Sequence, residues 1–554
     1  MDTLRIFFAT WNVATKSPDQ DLNSFLDFPS QYNKNKPLPD FYVIGLQEVK
    51  SQPQNLLMDS LFSDPWSSAI KKILCRHNYI IAKSIRLQGI LLLVFTQMKH
   101  LVHLRDIEAQ YTKTGFGGMW GNKGAVSVRF NIYGCSVALV NCHLTAHDHL
   151  LAERINDYNT IIKQHTYHVS ETSNILFHDY VFWIGDLNFR MDHPTGESPS
   201  SEQIVESLRK VEKDKYTQLL RHDQLKAVME SGEAFSEFRE PEIQFPPTYK
   251  LNIGSDDYDI KRKPSWTDRI LYKVSANNYE NVTLRADVSN YNSNPHYSLS
   301  DHKPVIAQYS IKVATTFASR VENRTPPKSI RMRSAIVNPG VQIHNATVAN
   351  VNLGANIAMD EGSVGVERDC MPDIEEEAFS NYTVKTVEFA PMSRIWYIGD
   401  ADFRTQITLS PDVEVNPNDW IGIYDANFES LDEYIAYEYF SKVSVPQREI
   451  SPKQSRSVVL SFPVGSGVRT PGFYRFIYFS QPSSDVRSVL GISDPFEVSS
   501  KEDLLVTLDP CLQPTTSSNT DPSKASTSSY VFTDFTALDV ANLSKHFAND
   551  LSID

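Results

Sequence analysis

Up to Lys312 the chain is a succession of short apolar runs, each ending in a polar cluster. Runs at 6–10, 41–46, 89–95, 126–130, 136–142, 181–184 and 305–312 read as buried strands, and a further strand starts at Asp268. Between them, 53–77 and 145–168 carry helical spacing, and 193–240 is polar and helical. Strands alternating with helices predict an α/β domain over 1–313. From 314 to 379 the pattern lapses into Pro, Asn and acidic stretches, a linker in which the Val/Asn alternation at 336–353 allows a strand or two. Short alternating segments then recur at 382–388, 403–409, 420–424, 457–462, 474–479 and 495–499, which predicts an all-β sandwich over 380–500. The tail, 501–554, is Ser/Thr-rich and reads as mostly disordered. Within it Val540, Leu543, Phe547 and Leu551 fall at helical spacing.

Composition narrows the class. The 554 residues are 41% hydrophobic and 22% charged, the balance of a soluble globular protein of two or three units. No apolar run approaches the roughly 20 residues that span a bilayer, and the N-terminus has no signal-peptide pattern. Five scattered cysteines without C-x-x-C spacing argue for a reducing, cytoplasmic setting and against a thiolate metal site. A net charge of −14 argues against a general grip on nucleic acid, so an anionic substrate needs a local basic pocket.

The polar clusters supply that pocket and more. Asn12, Glu48, His143, Asp186, Asn188, Asp268, Asp301 and His302 all lie at strand ends. In a two-sheet α/β sandwich such ends converge on one edge. Asp186 and Asn188, at i and i+2, share a side in extended geometry, and an Asp-His pair suits acid/base work or phosphate contact. Glu48 with Asn12 and Asp301 forms an oxygen-rich set suited to Mg²⁺. Residues 114–125 hold five glycines, permitting close approach to phosphate, with Asn122 and Lys123 as donors. Met119 and Trp120 in the same loop suggest membrane contact. Tyr249, Lys250 and the triplet Lys261, Arg262, Lys263 extend the basic character. His147, His149, His165 and His168 are expected to be solvated on their helix.

Two segments are specific enough to suggest a family. Trp-Ile-Gly-Asp-Leu-Asn-Phe-Arg (183–190) and Pro-Ser-Trp-Thr-Asp-Arg-Ile-Leu (264–271) resemble the signature motifs of inositol polyphosphate 5-phosphatases, and 121–126, 141–144 and 300–305 match as well. The resemblance implies the four-layer α/β sandwich of DNase I-like endonucleases, exonucleases and phosphatases. It also implies Mg²⁺-dependent attack of water on an inositol 5-phosphate. In that reading Asp186 polarises the water and Asn188 orients it. His302, oriented by Asp268, and His143 bind the scissile phosphate, and the metal sits on Glu48. Asn122, Lys123, Tyr249, Lys250 and 261–263 hold the other ring phosphates, while Arg190 braces the loop. Residues 418–424, 474–479 and 491–496 resemble a SKICH domain, an immunoglobulin-like sandwich that localises its protein through a protein or membrane partner. The expected substrate is a phosphoinositide at a membrane surface, reached by peripheral recruitment to the plasma membrane or endoplasmic reticulum, with no nucleic acid. The alternatives are a nucleic-acid phosphodiesterase of the same fold and a scaffold with dispensable catalysis.

Overall fold

The apolar runs pair into two sheets that face each other. The structure, a computed structural model, describes residues 3–28, 37–50, 64–193, 196, 198–276, 283–313, 386–392, 394–399, 403–444, 455–463 and 468–501. In chain order the first part contains β1 (Thr3–Asn12), β2 (Phe41–Gln47), α1 (Pro65–Leu74), β3 (Tyr79–Leu87), β4 (Ile90–Gln97), β5 (Leu104–Thr114), α2 (Gly115–Gly118), β6 (Trp120–Ile132) and β7 (Cys135–His143). It continues with α3 (Leu151–Gln164), β8 (Tyr180–Asp186), α4 (Ser201–Arg209), α5 (Lys215–Leu219), α6 (Gln224–Ser231), β9 (Asp268–Val274), β10 (Ala286–Ser293) and β11 (Val305–Lys312).

One sheet runs β10-β11-β1-β2-β4-β3 and the other β5-β6-β7-β8-β9. The pairs β1–β2 and β7–β8 are parallel and central, and β2, β7 and β8 are buried along their whole length. That explains their unbroken apolar runs, since a strand covered on both faces needs no polar alternation. Phe8 against Phe182 (ring centroids 4.5 Å apart) and Phe41 against Phe130 (5.5 Å) join the two sheets. Trp66 and Ile70 of α1 cover the outer face of one sheet, and Tyr158, Ile161, Leu225 and Val228 of α3 and α6 cover the other. The result is the expected four-layer sandwich.

Local signals set the helix ends. Asp64 caps α1 by accepting from the amides of Trp66 and Ser67, and Ser200 forms a capping box with Gln203 on α4. The helical stretch expected at 145–168 begins only at Leu151. Arg154 reaches back to the carbonyls of Thr145 (3.2 Å) and His147 (2.6 Å) and holds the preceding residues as a loop. The expectation that His165 is solvated on its helix fails. The residue is buried at the end of α3, with Nδ1 2.9 Å from Thr112 Oγ1 and Nε2 2.6 Å from Ser127 Oγ. Among the described residues of the polar segment 193–240, the expected helical character takes the form of the short helices α4, α5 and α6. Strands β3, β5 and β10 were not expected, because their half-buried residues break the apolar runs.

The C-terminal part is a second sandwich. Its strands are β12 (Val387–Phe389), β13 (Trp396–Tyr397), β14 (Phe403–Leu409), β15 (Trp420–Asp425), β16 (Ala436–Tyr439), β17 (Arg456–Phe462), β18 (Gly472–Ser480), β19 (Ser488–Ile492) and β20 (Phe496–Ser499). They form sheets β12-β14-β17 and β13-β20-β18-β15-β16, with β19 on β18. Stacked aromatics fill the space between, including Phe462 on Phe476 at 4.7 Å and Trp396 on Phe403 at 4.3 Å. The linker 314–379 with its alternation at 336–353, the Ser/Thr-rich tail with its 540–551 spacing, and residues 53–63 lie outside the described residues. Among the described residues, no helix is long and apolar enough to cross a membrane.

Candidate active site

Three strand ends of one sheet meet four polar positions of the other. In the β7–β8–β9 ladder His143 lies opposite Asp186, and Asp186 opposite Asp268. Gly185 lets β8 close against β7 just before the carboxylate: its φ is +141°, and a Cβ there would meet Cys142 O at 2.1 Å. Across the cleft, Asn12 ends β1, Glu48 follows β2, and Asp301 and His302 precede β11.

Asp186 is the centre of the cluster and is buried. Its Oδ2 accepts from Asn12 Nδ2 at 3.0 Å and lies 3.4 Å from His143 Nε2 and 4.0 Å from His302 Nε2. Asn12 Nδ2 also donates to Glu48 Oε1 at 3.1 Å, so Glu48, Asn12 and Asp186 form one chain. His302 Nδ1 sits 2.9 Å from Asp268 Oδ2, which also accepts from Thr248 (2.7 Å) and Thr267 (2.9 Å). Those contacts fix the orientation of the ring. Tyr249 packs on the His302 ring at 4.6 Å.

Burial and neighbouring charge set the protonation states. Burial raises the Asp186 carboxyl above its usual range, and the Asp268 charge adds to the effect. Burial works against a charged His302, but Asp268, Asp186 and Asp301 outweigh it and push the imidazole up to about 9. His143 goes the other way: burial, Lys123 and His302 hold it well below the ordinary range, hence neutral. Lys123, brought down to about 8 by burial, lies within hydrogen-bond reach of His143 Nε2.

Several expected residues stand differently from their sequence reading. Asn188 does not continue the strand: it adopts φ +58°, its backbone N–H donates to Asp186 Oδ1, its Nδ2 donates to Leu144 O at 3.0 Å, and its Oδ1 accepts from Arg190. Its amide is thus engaged at both ends in shaping the loop. Asp301 is not in the Glu48–Asn12 chain; its Oδ2 takes Lys250 Nζ at 2.7 Å. Lys263 pairs with Asp192 at 2.8 Å, while Lys261 and Arg262 are exposed on the adjoining loop. Met119 and Trp120 are both 65% exposed.

Arg190, read from the sequence only as a brace for the loop, does brace it through Asn188 but also stands at the site. It is buried, lies 4.5 Å over the Tyr249 ring, and its Nε and Nη1 have no hydrogen-bond partner among the described residues. Its place in the 183–190 motif, two residues from Asn188, was the available signal. Arg269 of the other motif is structural instead. It is fully buried between Asp223 (3.0 Å) and Glu240.

The cluster suits a hard divalent cation. Asp186 and Asp268 bring carboxylate oxygens close to His302, and Asp268 Oδ1 is a buried acceptor without a hydrogen-bond partner among the described residues; the charged His302 has no lone pair to offer, so the carboxylates are the donors. Glu48, 43% exposed in its side chain, adds a carboxylate from the opposite wall.

The chain is similar to known proteins along most of its length. The profile of the endonuclease/exonuclease/phosphatase family 2 matches residues 9–308, and that of the SKICH domain matches 387–498. Mouse inositol polyphosphate 5-phosphatase K is 30% identical over 507 residues, covering 89% of this chain and 90% of that protein. Human phosphatidylinositol 4,5-bisphosphate 5-phosphatase A is 31% identical over 505 residues, covering 89% of this chain, which spans only 42% of that longer relative. Among solved structures, the 5-phosphatase domain of SPsynaptojanin, in complex with inositol (1,4)-bisphosphate and calcium, is 32% identical. It covers 56% of this chain and 86% of its own, with a TM-score of 0.46. A SKICH sandwich behind a DNase I-like phosphatase domain, with relatives matched over nearly the whole chain, places this protein in the inositol polyphosphate 5-phosphatase family.

Proposed function

We propose that this chain hydrolyses the 5-phosphate of membrane phosphoinositides, phosphatidylinositol 4,5-bisphosphate and 3,4,5-trisphosphate, and of soluble inositol polyphosphates. The observation that carries the reading is the buried Asp186, held between a neutral His143 and a cationic His302. A carboxylate with a raised pKa accepts a proton from an attacking water more readily than an exposed one. The His302 imidazolium presents Nε2–H to the scissile phosphate, and Asp268 keeps it charged and aimed. Lys123 and His143 approach the same phosphate from the opposite wall. Asn188 positions the Asp186 loop and Arg190, whose Nε lies 3.7 Å from Asp148 Oδ1 and whose Nη1, without a hydrogen-bond partner among the described residues, would donate to a phosphate oxygen. Glu48 would hold Mg²⁺ with Asp186 and Asn12 near it, where the ion supplies charge neutralisation for the phosphate and leaving oxygen. Asp301 instead sets Lys250 for a ring phosphate that does not react.

Around this pocket, Met119 and Trp120 on one loop, beside Asn122 and Lys123, would meet the bilayer that holds a lipid substrate's acyl chains. The protein would thus act in the cytoplasm and be recruited peripherally to the plasma membrane or endoplasmic reticulum, with the SKICH sandwich contributing a protein or membrane contact. Phosphate release from a phosphoinositide panel, run beside a plasmid-nicking assay, tests the reading. Release confined to substrates with a 5-phosphate, without nicking, is expected; nicking without such release would assign the site to nucleic acid.

A further inference from the structure

On one side of the catalytic sandwich, β3 is the edge strand of the first sheet and β5 that of the second. Unpaired edges expose a row of N–H and C=O groups. Both edges are interrupted by register shifts, between Ile81 and Lys83 on β3 and between Arg105 and Glu108 on β5. The C-terminal sandwich, which belongs to the same compact unit, binds at those two places. Ile81 N–H donates to Glu429 O (2.8 Å) and Ile81 O accepts from Leu431 N–H (3.0 Å). Ile107 and Arg487 exchange both backbone hydrogen bonds, at 2.8 and 3.2 Å, and Asp106 N–H donates to Ser488 Oγ at 2.8 Å. Trp420, Phe428, Leu431, Phe479 and Val489 are continuous with the core that holds Ile80 and Ile107. Asp432 ties the seam together, with Arg487 Nη2 at 2.7 Å and Lys83 Nζ at 3.7 Å.

Both gripped strands run on to the active-site lip. β3 ends in the turn at Gln88 and Gly89. There Gly89 O accepts from Val49 N–H at 3.0 Å, and a Cβ on Gly89 would lie 3.2 Å from Glu48 Cα. β5 ends in the glycine-rich loop, and a Cβ on Gly121 of that loop would lie 2.8 Å from Leu87 Cδ1 of β3. The ends of the two strands therefore touch where Glu48, from one sheet, faces Lys123 and His143, from the other. The span from the gripped residues to the lip is about 20 Å for six residues of strand.

We propose that the SKICH sandwich is a positioning element of the catalytic site, a clamp across the edges of both sheets that sets Glu48 and the 115–123 loop against each other. Asp432 and Arg487 are its positioning residues. The clamp acts on the chemistry itself, apart from any role in locating the protein, and it builds on the 5-phosphatase reading above. In the full chain, Asp432→Ala and Arg487→Ala are measured on soluble inositol 1,4,5-trisphosphate, where membrane recruitment plays no part. The expected result is a fall in kcat/KM of about tenfold, with faster hydrogen exchange at 86–92 and 113–124 and unchanged exchange in β7 and β8 at a temperature well below melting. Should either variant fail to fold, Lys71→Ala weakens the same seam from the surface, by removing the pairs with Glu429 (3.0 Å) and Glu433 (2.8 Å), and is expected to shift both readouts less. Arg487→Lys should recover part of the loss. Exchange at Ile81 and Ile107 that reports an opened seam, with wild-type kcat/KM and an unchanged lip, would overturn the clamp. Because the exchange measurement needs no turnover, its outcome is separable from a failure of the 5-phosphatase reading, which would show as a wild-type protein releasing no phosphate.

Discussion

Replacing Asp268 by Asn isolates what one buried charge does for His302. The carboxylate is the largest favourable influence on an imidazole raised from 6.5 to about 9. That span is about 3.4 kcal/mol of net preference for the charged ring, the balance of burial, which opposes the charge, against Asp268, Asp186 and Asp301, which favour it. At pH 7.5 a ring with a pKa of about 9 is ~97% protonated, and one returned to about 6.5 is only ~10% protonated. Protonation alone should then lower kcat/KM on soluble inositol 1,4,5-trisphosphate about tenfold at pH 7.5, with a further loss where the Asn amide disturbs the ring tautomer. At pH 6 the variant ring is again about three-quarters charged, so the protonation part of the defect should nearly vanish. The sign is fixed by the direction of the shift. A raised histidine is fully charged below its unfolded pKa, and its contribution fades as pH rises through about 9. The wild-type alkaline limb should accordingly lie near 9 and the variant's should move toward neutrality. Wild-type melting temperature should decline from pH 6.5 to 9.5 more steeply than that of the variant. A defect of equal size at pH 6 and pH 8.5 would refute the argument.

Further outcomes follow from the same geometry. Asp186→Ala should reduce kcat by roughly 10³-fold or more with little change in circular dichroism, as when a positioned acid/base group is lost; wild-type-like turnover would remove Asp186 from the chemistry. Lys250→Ala, and neutralisation of 261–263, should raise KM several-fold for substrates with a 4-phosphate and less for those without, as read from paired Michaelis curves. Met119→Ser with Trp120→Ser should lower activity on liposomes about tenfold or more, from the roughly 2–5 kcal/mol that burying two such side chains supplies. Activity on soluble substrate should persist, and parallel loss on both would place Trp120 in the fold.

Strand ends were legible because the chemistry sits where apolar runs stop. Asp186, His143 and Asp268 terminate or begin buried strands, and register alone brings them together. What escaped the sequence depends on partners far along the chain. His165 lies at a helical position, yet its ring partners, Thr112 and Ser127, are on β5 and β6. Asp301 carried the right residue type for a metal ligand, but its neighbour in space is Lys250, 51 positions away. Asn188 fell out of strand geometry because its backbone turns to φ +58° beneath the Asp186 carboxylate. Edges β3 and β5 alternate too weakly to announce themselves as strands, and nothing local to Ile81 or Ile107 points to Glu429 or Arg487.

The most direct test of the site's assignment is the identity of the product. Phosphorus NMR of inositol 1,4,5-trisphosphate incubated with the full chain and Mg²⁺ should show loss of the 5-phosphate resonance alone, with the 1- and 4-phosphates retained, and no change when EDTA replaces the metal. Loss of a 1- or 4-phosphate, or turnover that persists in EDTA, would contradict a metal-assisted 5-phosphatase built on Asp186, His143 and His302.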